Sequence, residues 1–165
     1  VISGAEDVAF KAGYNVVISQ SNDLAAKEIS IVQSMFANRV DGLIISIAMQ
    51  TDTFDHLKLF RKKHIPLVFF DRAVPEIETD KIVVDDFAGA FRVTQHLIDQ
   101  GYKRIGHLAG PQNLTTYLDR KNGYIDTLLK NGIAYDESLI IVNTLTSDEG
   151  VQHWHRCAAT LPLTV

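Results

Sequence analysis

The sequence predicts an α/β fold built on parallel strands, and three observations lead there. Helical and strand patterns alternate along the chain, and the connections between them are short. The run Ile65-Pro66-Leu67-Val68-Phe69-Phe70 is apolar without alternation, as expected of a strand covered on both faces, before it stops at Asp71-Arg72. Strands that alternate with helices over short connections pair in parallel through right-handed crossovers.

Taken in order, Val1 to Ala12 reads as a helix stopped by Gly13, and YNVVIS, Tyr14 to Ser19, as a strand. Ser21 or Asn22 is placed to cap a second helix, whose apolar stripe is Ala25, Ile29, Val32 and Phe36. LIISI, Leu43 to Ile47, is the next strand, and a helix over about Thr53 to Lys63 leads into IPLVFF. KIVVD is a short strand ending at Asp85. The clearest helix follows, with Phe87, Ala90, Phe91, Thr94, Leu97 and Ile98 on one stripe and Gly101 as its stop. RIGHLAGP is a strand with its exit turn, Thr115 to Asn131 is helical, LIIVNT is a strand, and Asp148 opens a last helix.

Composition narrows the function classes. The 165 residues are 46% hydrophobic and 22% charged, which suits one globular domain or two small lobes. A net charge of −4 argues against a phosphate-binding face. The single cysteine, Cys157, excludes an internal disulfide. No apolar run approaches the roughly 20 residues that span a bilayer. The chain opens on Val1 in a pattern that is already helical, so the native N-terminus and any targeting signal are expected upstream. There is no G-x-G-x-x-G after a strand, no G-x-x-x-x-G-K-[ST] and no G-x-S-x-G, which removes the commonest nucleotide and acyl-transfer sites.

In an open parallel sheet, ligands bind outside the carboxyl ends of the strands. Ser46, Asp71, Arg72, Asp85 and Pro111 all fall at such ends. Adjacent strand residues point to opposite faces, so Asp85 and Asp86 do not share a metal ion, and Asp86 is expected to cap the helix that follows. His153, His155 and Cys157 spell H-x-H-x-C, but on a helix His155 points away from the other two and no second ligand cluster lies nearby. No metal or cofactor is expected. The basic run KLFRKKH, Lys58 to His64, is read as a solvated helix face ending at a C-terminus that favours cations. Arg120 lies in the first turns of its helix, with Thr116 one turn earlier. Its guanidinium is placed either to bind hydroxyls or a carboxylate of a ligand, or to pair with Asp119 or Asp126.

RVDGLIIS, IPLVFFDR, VVDDFAGAFRVTQHLIDQGYKRIGHLAGP and R-K-N-G-Y together resemble the effector-binding core of the lactose-repressor and galactose-repressor (LacI-type) family of bacterial transcription regulators. The resemblance runs from Val1 to about Ala159. It rests most on H-L-I-x-x-G-Y-x-R-I-x-x-L-A-G-P, while V-D-G-L-I is shared with periplasmic sugar-binding proteins.

The resemblance implies a periplasmic-binding-protein-like fold with two lobes, each a parallel sheet flanked by helices, and a small molecule, often a sugar, held between them. It places residues 1–85 in the first lobe and 86–165 in the second. Asp71 falls where that family presents a carboxylate to ligand hydroxyls, and Thr116 and Arg120 where it presents a hydroxyl and a guanidinium. Asp85 or Val84 lines the crossover, and Ser46 is added to the candidate site from its place at a strand's carboxyl end. Arg72 pairs nearby carboxylates or faces a dimer partner. The loop at Thr144 and Leu145 lacks the aromatic side chain that often stacks on the ligand. The implied function is noncatalytic: a cytoplasmic homodimer senses its effector and controls operator DNA through an N-terminal helix-turn-helix outside this sequence. The first sheet's first strand and the second lobe's later strands are expected outside it too. The alternative is a periplasmic sugar-binding protein for transport or chemotaxis.

Overall fold

The computed structural model describes residues 1–142. Their element order is α1 (Ile2–Lys11), α2 (Ala25–Ala37), β1 (Leu43–Ile45), α3 (Asp55–Lys62), β2 (Leu67–Phe70), β3 (Asp80–Ile82), α4 (Asp86–Asp99), β4 (His107–Ala109), α5 (Thr115–Lys130) and β5 (Ile140–Val142). Every strand pairing is parallel, as the alternating pattern predicts. One sheet has the order β1-β2-β3, with Leu43 opposite Leu67 and Val68 opposite Asp80. The other pairs β4 with β5, with His107 opposite Ile140. No described helix is long and apolar enough to cross a membrane.

The first sheet packs on Val32 of α2 and on Leu57 and Phe60 of α3, with Phe60 meeting Phe36 edge-on. In β2, Leu67 and Phe69 are buried and Val68 and Phe70 half-buried, so its second face is only partly covered. The β2–β3 connection contains no helix. It fills the place of one by burying Ala73, Val74 and Ile77, and the Thr79 hydroxyl donates to the Leu67 carbonyl. Against the second sheet, α4 and α5 lie almost backbone to backbone. A Cβ on Gly123 would stand 2.4 Å from the Phe87 carbonyl oxygen, so only glycine lets the helices approach this closely. Thr127 is fully buried there, its hydroxyl donating to the Gly123 carbonyl at 2.6 Å.

Three local expectations are corrected. YNVVIS forms no strand among the described residues, and Val16, Val17 and Ile18 are all exposed. The segment has β-forming side chains but no neighbouring strand to bond, and a lone strand leaves its backbone groups unpaired. It runs instead beside a cavity of about 210 Å³ lined by Val17, Ile31, Met35 and Val40 among others. The strand expected to end at Asp85 ends at Ile82. Its partner β2 stops at Phe70, and Asp71 turns away with φ 58°, so Val83 and Val84 have nothing to pair with and are exposed. Neither Ser21 nor Asn22 caps α2. Its N-cap position is Leu24, and Asn22 and Asp23 form a left-handed turn before it (φ 53° and 61°).

Candidate functional site

The carboxyl ends of β1 and β2 bring Ser46, Asp71 and Arg72 together. Asp71 takes a left-handed conformation that is uncommon without glycine. Its amide donates the last ladder bond to the Ile82 carbonyl at 3.0 Å, and its side chain swings off the sheet. That carboxylate is 57% exposed, with the Ser46 hydroxyl at 3.4 Å and the Arg72 Nε at 4.0 Å. Arg72 is 17% exposed and pairs with Asp23 at 2.7 Å, while its Nε also donates to Ser46 at 3.4 Å. Asp23 accepts from the Met49 amide at 3.2 Å as well. The turn that fails to cap α2 thus delivers a carboxylate to the arginine. Of the two roles expected for Arg72, pairing with a nearby carboxylate is the one the structure shows.

The loop after β1 is anchored from below. Glu28 of α2 is buried, and its carboxylate accepts from the Ala48 amide (2.5 Å), the Thr51 hydroxyl (3.0 Å) and the His56 Nε2 (2.9 Å). Three donors from a loop and a helix therefore converge on one carboxylate, as a buried charge requires.

The N-terminus of α5 meets this rim. Thr116 is buried and its hydroxyl donates to the Asp71 carbonyl at 3.3 Å. Thr115 donates to the Ala73 carbonyl, Asn113 to the Thr51 carbonyl, and the Tyr117 hydroxyl to the Met49 sulfur. Leu114 and Tyr117 pack into the first sheet's core. Gly110 makes room for the Tyr117 ring, where any Cβ would come within 2.4 Å of it.

Arg120 stands one turn beyond Thr116 and is 46% exposed. Its Nε donates to the Asp86 carboxylate at 2.7 Å, and its guanidinium lies 5.8 Å from the Tyr117 ring centroid. Asp86 is nearly buried at 8% side-chain exposure. Here the structure reverses the roles expected of the two adjacent acids. Asp85 caps α4, accepting from the Ala88 amide at 2.8 Å, and Asp86 holds Arg120. The α4 backbone begins one residue earlier than the pattern suggested, which moves the cap back by one. Neither Asp119 nor Asp126 pairs with Arg120, and Asp126 bonds Lys130 instead.

Of the candidate residues, Ser46, Asp71 and Thr116 are joined by direct contacts. Arg120 stands one turn further along α5 and pairs with Asp86, and Asp85 is committed to the helix end. Thr144, Leu145, His153, His155 and Cys157 lie outside the described residues. Among the described ones no three His, Cys, Asp or Glu side chains gather as metal ligands would. Behind the site, His107 stacks on Tyr124 with ring centroids 5.1 Å apart, and its buried Nε2 has no partner among the described residues. Burial, reinforced by the positive charges of Lys121 and Arg120, holds its imidazole below the ordinary histidine range.

Comparison with known proteins adds the remaining observations. A family model described as periplasmic binding proteins and sugar binding domain of LacI family matches residues 1–152. The HTH-type transcriptional regulator GalR of Escherichia coli (strain K12) is 30% identical over 140 residues, which are 85% of this chain and 40% of GalR. The solved transcription regulator CcpA of Lactococcus lactis superposes with TM-score 0.86 at 22% identity, over 96% of this chain and 58% of that one. A CelR–cellobiose complex superposes with TM-score 0.82 at 25% identity, over 96% and 48%. The chain spans half or less of the length of curated relatives that it matches.

Proposed function

This chain belongs to the family of periplasmic binding proteins and LacI-type sugar-binding domains, and from that premise we propose that it is the effector-sensing core of a transcriptional regulator. Its ligand is a sugar or a similar small molecule, held where the rims of the two sheets face each other. The first lobe is residues 1–85 and the second begins at Asp86, where α4 leaves the crossover. The observation that carries this reading is the bond from Thr116 to the Asp71 carbonyl, because it joins the C-terminal end of one parallel sheet to the helix following a strand of the other.

Asp71 accepts hydrogen bonds from ligand hydroxyls, and Ser46, Thr116 and the outer nitrogens of Arg120 complete the polar ring. Bonds of this charge-assisted kind contribute about 1.5–3 kcal/mol each. The lobes touch through side chains of α5 and loops of the first sheet, so an effector that favours one lobe arrangement shifts the population towards it. In a homodimer that shift changes the spacing of DNA-binding headpieces on a two-fold operator, and the protein works in the cytoplasm. The regulator names of the relatives favour this reading over sugar transport.

A thermal-shift screen of sugars on the full-length protein tests the proposal. At least one sugar should raise Tm and alter the protein's retention of operator-bearing DNA. If no sugar shifts Tm, the sensor reading fails.

A further inference from the structure

We propose that this rim selects a neutral polyhydroxylated effector and discriminates against its phosphorylated or carboxylated counterpart. The inference rests on the sugar-sensing reading above and sharpens it. It follows from how the charges at the site are already spent.

Two guanidiniums stand at the rim, and each is neutralised from within the protein. Arg72 is paired with Asp23 and Arg120 with Asp86, both at 2.7 Å. The Asp86 carboxylate is 8% exposed, so no ligand displaces it without stranding a buried charge. The Asp85 carboxylate is held at the start of α4. Asp71 is different. Its carboxylate is 57% exposed, and its nearest donors are a hydroxyl at 3.4 Å and a guanidinium nitrogen at 4.0 Å. The two arginine pairs cancel, which leaves the exposed Asp71 carboxylate as the incompletely matched charge of the rim.

A hydroxyl suits such a surface because it both donates and accepts. It donates to Asp71 and accepts from the Arg120 nitrogens that Asp86 does not occupy. A phosphate or carboxylate only accepts. It meets Asp71 as a like charge and finds at Arg120 a cation already cancelled, so the field disfavours its approach. Lys121, the next residue on α5, lies close enough to the His107 imidazole to depress its protonation.

Calorimetric titration of the full-length protein with matched sets tests this: glucose, glucose 6-phosphate and glucuronate; galactose, galactose 6-phosphate and galacturonate; and cellobiose. A neutral sugar should bind, and its acidic counterparts should bind about tenfold more weakly or worse. An acidic counterpart that binds as tightly as its neutral partner overturns the charge inference and leaves sugar sensing standing. Absence of binding by every sugar, neutral or acidic, overturns the sensor reading itself. Asp86→Asn supplies an independent test. Freeing the Arg120 charge should narrow the neutral-to-acidic ratio by about tenfold, and a ratio unmoved in a folded Asp86→Asn protein contradicts the role given to that pair.

Discussion

Residues 25–85 and residues 86–142 both form parallel sheets with helices against them, yet they are consolidated in opposite ways. The first half is organised around a buried polar centre, where Glu28 gathers Ala48, Thr51 and His56 beneath the loop that carries the site. The second is organised by close approach, with α4 and α5 meeting at Gly123 and at the buried Thr127. The difference teaches where each half is vulnerable. The first fails when an acceptor is removed, and the second when volume is added.

Glu28→Ala should be the most damaging change to the first half, because it strands three donors in a buried setting. We expect a loss of about 3–5 kcal/mol in urea unfolding of the full-length protein, and a loss below about 1 kcal/mol would break the contrast. Gly123→Ala should cost about 1–3 kcal/mol, since its methyl would press on the Phe87 carbonyl. Gly89 sharpens the comparison from within the same helix pair. Nothing lies within 4 Å of a Cβ built there. Gly89→Ala should therefore stabilise by about 0.5–1 kcal/mol, through helix propensity alone.

The smallest expected effect is a pH dependence confined to the second half. His107 has a folded pKa below its unfolded value of 6.5, so the unfolded state binds more protons in the interval between them. Stability therefore rises with pH across that interval, and the penalty is fully present once the pH falls below the folded pKa. Thermal scans between pH 5 and 8, within reach of an ordinary histidine, should show this slope in the wild type and lose it in His107→Phe. An unchanged slope in the variant would assign the effect to other groups.

Much of the fold was legible because its signals are local. The α4 stripe from Phe87 to Ile98, the stop at Gly101 and the apolar run at 65–70 each depend on neighbours a few residues away. YNVVIS misled for a physical reason: its composition favours a strand, but a strand exists only where another backbone offers a ladder. The grouping of the candidate residues was legible in outline. Asp71, Thr116 and Ser46 stand at strand and helix ends, where the alternating pattern puts them, and the family resemblance singled out Asp71 and Thr116. The pairs that set their electrostatics were not legible. Asp23 lies far from Arg72 in sequence, as Asp86 does from Arg120, and no periodicity links them. The exchange of roles between Asp85 and Asp86 turned on a one-residue shift of the α4 start, finer than a sequence pattern resolves.

The account centres on Asp71 and Arg120 serving one ligand from the rims of two sheets. Calorimetry of the full-length wild type, Asp71→Asn and Arg120→Ala, with circular dichroism verifying that each variant is folded, tests it most directly. Each substitution should weaken binding of the stabilising sugar by about tenfold or more. Wild-type affinity in both folded variants would contradict the account.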